Sequence, residues 1–187
     1  MPQVTSRKPL IAVIGYNDVA TNSVHYQHAH ELGRLLIERG YRLLSGGMGG
    51  VMEAASQGAR GAQNHSGGDV IAVLPGHNMD EANPYADIVL PSGLGFTRNV
   101  IIAHADAVIA VGGGAGTLSE MAYAWMFGRL IIALRVEGWS GQLADKPVDQ
   151  RNRRPNIADD CVRGANTAQD AVDLVDQWLT AYGQASR

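Results

Sequence analysis

The stretch VIAVGGGAGTLSE, residues 108–120, joins a short apolar run to four glycines, a threonine and a carboxylate. The apolar run is rich in β-branched residues and is too short for a helix, so it predicts a buried strand. Glycine inside a regular element costs roughly 0.5–1 kcal/mol relative to alanine. Four glycines in positions 112–116 therefore predict backbone that bends sharply or closely approaches a bound group.

The same alternation of strand and helix extends over most of the chain. Short, continuously apolar runs are typical of strands buried on both faces of a parallel sheet, and they lie at residues 10–14, 41–44, 70–74, 88–90, 107–111 and 130–134. Helical spacing is found between and after them, at residues 24–39, 51–62, 96–104, 117–127 and 168–182. Gly40 and Gly128 follow two of these segments, where helices commonly end.

This alternation predicts an α/β fold, a single doubly wound Rossmann-like domain whose parallel sheet is covered by helices on both faces. The domain is expected to span residues 1–187. It includes an irregular surface segment at about 137–166 and a C-terminal helix at about 168–182. The charged run 151–154 is expected to lie in a solvated loop of the irregular segment.

Composition excludes several classes of partner. The 187 residues are 45% hydrophobic and 18% charged, with a formal net charge of −3 and no long basic run. We therefore expect neither nucleic acid nor a membrane as a partner. The single cysteine, Cys161, rules out an internal disulfide and offers no zinc cluster. A cytoplasmic protein that needs no cofactor or metal is expected.

Two strand-to-helix junctions are rich in glycine, at residues 45–50 and 112–117. The start of a helix presents unpaired N–H groups and a partial positive charge, and glycines allow a phosphate to reach them. The alternative is that these glycines only form tight turns. Thr117 stands where the dinucleotide fingerprint requires glycine or alanine, and no Walker lysine follows either loop, so a monophosphate is favoured.

Glu120 has two interpretations. Thr117 and Glu120 have the spacing of a capping box, in which both side chains only satisfy backbone N–H groups at a helix start. A carboxylate beside a ribose could instead stabilise positive charge on the sugar and activate water. The spacing alone leaves both open.

Three motifs follow one another along the chain: GGMGGVMEAA at residues 46–55, FTRN at residues 96–99 and GGGAGTLSE at residues 112–120. Together and in this order, they resemble the motifs of the Lonely Guy (LOG) family. The resemblance covers about residues 10–134 and implies hydrolysis of the N-glycosidic bond of a nucleoside 5′-monophosphate. It further implies a homodimer or higher homo-oligomer.

The resemblance also implies roles for particular residues. Arg98 and Glu120 are expected to be catalytic. The residues expected to bind phosphate or another part of the ligand are Gly15, Gly46, Gly47, Asn99, Gly113, Gly114, Gly116 and Thr117. Arginine suits the role expected of Arg98 because its planar, permanently charged group can hold an oxyanion or orient a carboxylate.

Two positions differ from the usual pattern of the family. Gly112 stands in place of a proline, and Asn99 stands in place of the lysine of an arginine–lysine pair. Both features look more like a side branch that includes the molybdenum cofactor carrier proteins. A non-catalytic carrier of that cofactor or of another phosphorylated ligand is therefore the alternative function, and a nucleotide-sensing module is a third.

Two further features have simpler interpretations. His25 and His28 share a helical face, but a third metal ligand is missing, which favours a solvated polar surface over a metal site. The apolar segment 122–127 predicts core and a subunit interface rather than a ligand pocket.

Overall fold

Seven short parallel strands form the centre of the structure, a computed structural model that describes residues 7–184. The strands are β1 (Leu10–Gly15), β2 (Arg42–Ser45), β3 (Val70–Leu74), β4 (Ile88–Pro91), β5 (Ala107–Val111), β6 (Leu130–Leu134) and β7 (Arg163–Ala165). All six strand pairs are parallel. Six of the strands match the apolar runs of the sequence, which confirms the predicted α/β class.

The strand order is β4-β3-β2-β1-β5-β6-β7. From β1 the chain builds outward on one side to β4, then crosses back to place β5 on the other side of β1. The order in which strands are added therefore reverses between β1 and β5. In doubly wound sheets, ligands bind beyond the carboxyl ends of the strands at this point.

Helices cover both faces of the sheet. They are α1 (Val24–Glu38), α2 (Val51–Arg60), α3 (Asn99–Ala103), α4 (Ala115–Met126), α5 (Trp139–Leu143) and α6 (Ala168–Gln184), with short 3-10 turns at Met79–Glu81 and Gly95–Arg98. One core packs α1, α2 and α6 against the sheet, and the other packs α3 and α4 against its opposite face. Among the described residues, no helix is long and apolar enough to cross a membrane.

The segment 137–166 is more ordered than its sequence predicts. It contains α5 and the edge strand β7, both too short for a periodic pattern to reveal. The prediction of a solvated loop at 151–154 is also wrong in its second half. Arg154 is buried and its Nε donates to the Gly128 carbonyl at 2.8 Å, while the Arg153 guanidinium lies 3.7 Å from the ring centre of Trp125. These arginines fasten the segment to the end of α4.

Candidate ligand-binding site

A cleft of about 240 Å³ opens where the strand order reverses, between β1 and β5. It is lined by Ile14, Gly15, Asn17, Met48, Met52, Phe96, Arg98, Asn99, Gly116, Thr117 and Glu120. These residues come from the carboxyl end of β1, the loop after β2, the segment that leads into α3, and the first turns of α4. Three sequence motifs that lie far apart in the chain therefore meet at one position.

The start of α4 presents free N–H groups at this cleft. Gly114 is the N-cap residue, and none of the described side chains caps the helix. The Leu118 amide donates to the Gly114 carbonyl, but the amides of residues 113–117 have no partner within residues 7–184. Unpaired amides and the positive end of the helix dipole favour a bound anion.

The glycine turn before α4 is held rigidly. Gly112 and Gly113 have φ angles of 65° and 96°, a region that favours glycine. The Gly112 amide donates to Ser140 Oγ at 2.7 Å, and its carbonyl accepts from the Ser140 amide at 3.0 Å. Added side-chain carbon at Gly112 would lie 2.6 Å from the His25 ring, so a neighbouring helix also closes this position.

The capping-box interpretation of Thr117 and Glu120 is wrong. Because α4 begins at Ala115, Thr117 is the third helical residue and cannot act as N-cap. The Glu120 side chain turns away from the start of the helix and accepts a hydrogen bond from Arg98 Nη1 at 3.1 Å. Its carboxylate is therefore free of any capping role and belongs to the cleft.

Arg98 and Glu120 form a buried ion pair. Their side chains are 9% and 8% exposed. Burial raises the pKa of Glu120 to about 7, and the nearby Arg98 charge opposes that rise. Burial also lowers the pKa of Arg98, against the stabilising charge of Glu120. A carboxyl group with a pKa near neutrality can both give and accept a proton at physiological pH.

Arg98 retains unused hydrogen-bonding capacity. Its Nη1 donates to Glu120 and to Asn99 Oδ1. Its buried Nε has no partner within the described residues, and no bond is formed by Nη2 there. Buried guanidinium donors are rarely left unpaired, so these atoms are suited to an acceptor on a ligand.

The first glycine loop makes room for Arg98. A side-chain carbon at Gly46 would clash with Arg98 Nη2 and would lie 2.7 Å from Met52 Sδ. Gly47, with φ 75°, packs on Ala72. Both glycines therefore lie beside Arg98 or against the sheet and do not line the cleft themselves.

The cleft brings together six of the ten residues predicted from the sequence. These six are Gly15, Arg98, Asn99, Gly116, Thr117 and Glu120. Gly113 and Gly114 form the adjoining turn, while Gly46 and Gly47 lie behind Arg98. Sequence reasoning missed the apolar wall of Ile14, Met48, Met52 and Phe96, and it missed Asn17. Three of these five lie inside the quoted motifs, at Met48, Met52 and Phe96, which was an available signal.

The histidines of α1 do not gather around a metal position. His25 Nε2 lies 2.9 Å from the Glu137 carbonyl oxygen, and its ring meets Tyr16 edge-on at 5.5 Å. Within residues 7–184, no group of three or more His, Cys, Asp or Glu side chains has the arrangement of a metal site.

Comparison with known proteins shows to which family the chain belongs. The sequence profile of the SLOG cluster4 family matches residues 8–166, so the chain belongs to the SLOG cluster4 family. This membership confirms the LOG-like resemblance seen in the motifs.

Two relatives carry different functional descriptions, and a third is uncharacterized. The chain is 31% identical to the cytokinin riboside 5′-monophosphate phosphoribohydrolase LOG of Oryza sativa, over 84% of this chain and 69% of that protein. It is 43% identical to an uncharacterized protein of Archaeoglobus fulgidus, over 67% of this chain and 79% of that one. The structure of the molybdenum cofactor binding protein from Rippkaea orientalis is 34% identical, with a TM-score of 0.75 over 92% of this chain and 98% of that one.

Proposed function

We propose that this protein binds a nucleoside 5′-monophosphate-like ligand and hydrolyses its N-glycosidic bond, which releases the base and ribose 5-phosphate. One observation carries the proposal. A buried carboxyl group with a pKa near 7, Glu120, lies in the same cleft as the unpaired amides of α4. The relation to a named phosphoribohydrolase of rice supports the same reaction.

The phosphate is assigned to the start of α4. The free amides of residues 113–117 and the helix dipole would hold its oxygens, and the unused donors of Arg98 would hold a further phosphate or sugar oxygen. The apolar wall of Met48, Met52 and Phe96 suits a flat heterocyclic base. The ribose would then lie between these two regions, beside Glu120.

Glu120 supplies the chemistry. Breaking the bond between ribose C1′ and the base nitrogen sends the electron pair to the base, which takes up a proton from solvent, and leaves positive charge on the sugar. The ionised carboxylate stabilises that charge, accepts a proton from the water whose oxygen bonds to C1′, and then releases that proton to solvent. Arg98 keeps part of the Glu120 population ionised and orients the carboxylate.

The experiment is incubation of the purified protein with AMP, with the released base measured by chromatography. Glu120→Gln should abolish base release while AMP binding, measured by calorimetry, persists. Glu53→Gln is the control, since Glu53 also lies in the first turn of a helix but outside the cleft. Absence of base release from AMP and from other monophosphates at high protein concentration would refute the enzymatic reaction.

A second candidate function is carriage of the molybdenum cofactor or another phosphorylated ligand without turnover. It is favoured by Asn99 and Gly112, and by similarity to a molybdenum cofactor binding protein over nearly all of that protein's length. Molybdenum in elemental analysis, together with pterin fluorescence of the purified protein, would support carriage. A metal-free protein that turns over nucleotides would exclude it.

We further propose a cytoplasmic homo-oligomer. Five of the eight exposed large apolar side chains of the described residues lie within positions 88–101, at Ile88, Leu90, Leu94, Phe96 and Ile101. Arg98 is the one charged residue of this stretch, and it is buried. An uncharged apolar surface can meet its own copy across a two-fold axis without repulsion. Phe96 also lines the cleft, so this surface borders the ligand.

A further inference from the structure

Both polar atoms of the Asn99 side chain have hydrogen-bond partners within the protein. Its Oδ1 accepts from Arg98 Nη1 at 3.0 Å, and its Nδ2 donates to Ser119 Oγ at 2.8 Å. Ser119 Oγ in turn donates to the Gly116 carbonyl at 2.7 Å. These bonds form a chain from Arg98 to the first turn of α4, and Asn99 is its central member.

The orientation of the Asn99 amide follows from its partners. A guanidinium can only donate hydrogen bonds, so the atom facing Arg98 must be the amide oxygen. The Gly116 carbonyl can only accept, and it lies 3.4 Å from Nδ2, so the atom facing α4 must be the nitrogen. Asparagine satisfies both demands with one short, planar group. Asn99 is only 5% exposed, and both protons of its Nδ2 face acceptors in the protein, so it has no donor left for an anionic ligand without breaking this chain.

We propose that Asn99 is a positioning residue: it holds Nη1 of Arg98 so that Nε and Nη2 stay available to an anionic ligand bound at α4. The proposal rests on the proposed function in one respect, namely that the cleft receives a phosphorylated ligand. Asn99 acts on that ligand through Arg98 and contributes no contact of its own. This chain of hydrogen bonds thus links the Arg98 guanidinium to α4, the helix whose start would hold the phosphate.

The lysine usual in the LOG pattern could not perform this role in the same geometry. An ammonium group has three donors and no acceptor, so it offers nothing to Arg98 Nη1. It would also place a second positive charge beside the guanidinium. Asn99 therefore brings no positive charge of its own to the ligand. It orients the positively charged guanidinium of Arg98 instead.

The first test needs no ligand. The carboxyl carbon of Glu120 is titrated by NMR in the unliganded protein, with its signal assigned by loss in Glu120→Gln. Arg98 is the charged side chain that faces this carboxyl group, and it opposes the rise in the Glu120 pKa. In Asn99→Leu, Arg98 is less firmly held against Glu120, so the pKa of Glu120 should rise above its wild-type value. An unchanged titration in a folded Asn99→Leu protein would overturn the proposal.

The second test measures AMP binding by calorimetry in a double-mutant cycle. Asn99→Leu should weaken binding about tenfold in the wild-type background, the effect of a lost hydrogen bond to a charged group. In the Arg98→Met background, it should change affinity less than about twofold, because its effect passes through Arg98. Equal losses in both backgrounds would show that Asn99 acts independently and would overturn the proposal.

A milder variant guards against misfolding of Asn99→Leu. Ser119→Ala removes the partner of Nδ2 at a helix position that tolerates alanine, and it should move the Glu120 titration in the same direction by a smaller amount. An unchanged Glu120 pKa in both variants would contradict the positioning role of Asn99. If the wild-type protein binds neither AMP nor inorganic phosphate, the proposed function fails, while the Glu120 titration still decides the role of Asn99.

Discussion

At the scale of single residues, Glu120 makes the stability of the protein depend on pH. Its pKa is raised from 4.5 to about 7 in the folded state, so the native protein binds this proton more tightly than the unfolded chain does. Stability from this group is complete below about pH 4.5 and is lost as pH rises through about 7, above which both states are ionised.

Glu120→Gln removes this titration. We expect the free energy of unfolding of the wild type, relative to the variant, to fall by about 3 kcal/mol at most between pH 4.5 and pH 8. Urea denaturation of both proteins at several pH values measures this difference. The offset between the two curves depends on how Arg98 tolerates glutamine, but the slope does not. Parallel curves would mean that Glu120 titrates normally.

Alanine at two glycines near the site should have different effects: one substitution should mainly lower stability, and the other should mainly weaken ligand binding. At Gly15 the added carbon would clash with the Val111 carbonyl oxygen, which is backbone and cannot yield, and would lie 2.8 Å from Val51. At Gly46 it meets the ends of the flexible Arg98 and Met52 side chains. We expect Gly15→Ala to lower the Tm strongly, and Gly46→Ala to keep most of the stability but displace Arg98.

Thermal denaturation and AMP calorimetry on the same two variants measure this separation. The expected result for Gly46→Ala is a loss of affinity of about tenfold, comparable with loss of one charged hydrogen bond. Should Gly46→Ala bind AMP like the wild type, Arg98 would not contact the ligand.

At the scale of secondary-structure elements, the start of α4 combines poor helix propensity with an open surface. Gly116 is the second residue of the helix, and an added side-chain carbon there meets no atom of residues 7–184 within 4 Å. Gly116→Ala should stabilise the protein by about 0.5–1 kcal/mol, which raises the Tm by about 1–4 °C. The new methyl group would occupy the wall of the cleft, so the same variant should bind AMP more weakly.

Gly183→Ala is the matched control for that variant. Gly183 lies in α6, where an added carbon likewise has no atom of the described residues within 4 Å, and it does not line the cleft. It should share any gain in Tm and leave AMP affinity unchanged. Equal AMP affinity in Gly116→Ala and the wild type would show that the ligand does not approach this turn.

The sequence predicted the long elements and not the short ones, for a physical reason. Six strands are continuous apolar runs because both of their faces are buried, and burial leaves this pattern in the sequence. The three residues of β7 and five of α5 are too few for any period to repeat. Their positions depend on tertiary contacts, such as the bonds between Ser140 and the Gly112 turn.

The same limit applies to the site. Arg98 and Glu120 were predictable because their residue types and motifs suit the chemistry. That they form a buried pair was not, since it requires α3 and α4 to pack side by side. The two-residue shift of the α4 start, from Thr117 to Ala115, changes Glu120 from a capping partner into a cleft residue. A single-sequence pattern cannot fix a helix boundary that closely.

At the scale of the whole molecule, the sheet order explains why one side of the protein is left open. Ile88 and Leu90 of the edge strand β4 are aligned with Ile71 and Val73, which face the core that α3 and α4 cover over the middle of the sheet. Ile88 and Leu90 are 41% and 49% exposed, so this cover does not extend fully to the edge. An exposed apolar edge of this kind invites pairing or aggregation unless another surface covers it.

We expect a second copy to cover it, and a charge placed there should separate the copies. The wild type should have a solution mass of at least twice 19.9 kDa by light scattering, and Leu90→Glu should reduce it to that of one chain. Val24→Glu is the control, because Val24 is equally exposed but lies at the start of α1, outside the stretch 88–101. A wild-type monomer, or a Leu90→Glu protein of unchanged mass, would rule out this interface. If the interface also completes the cleft beside Phe96, Leu90→Glu should weaken AMP binding although Leu90 does not line the cleft.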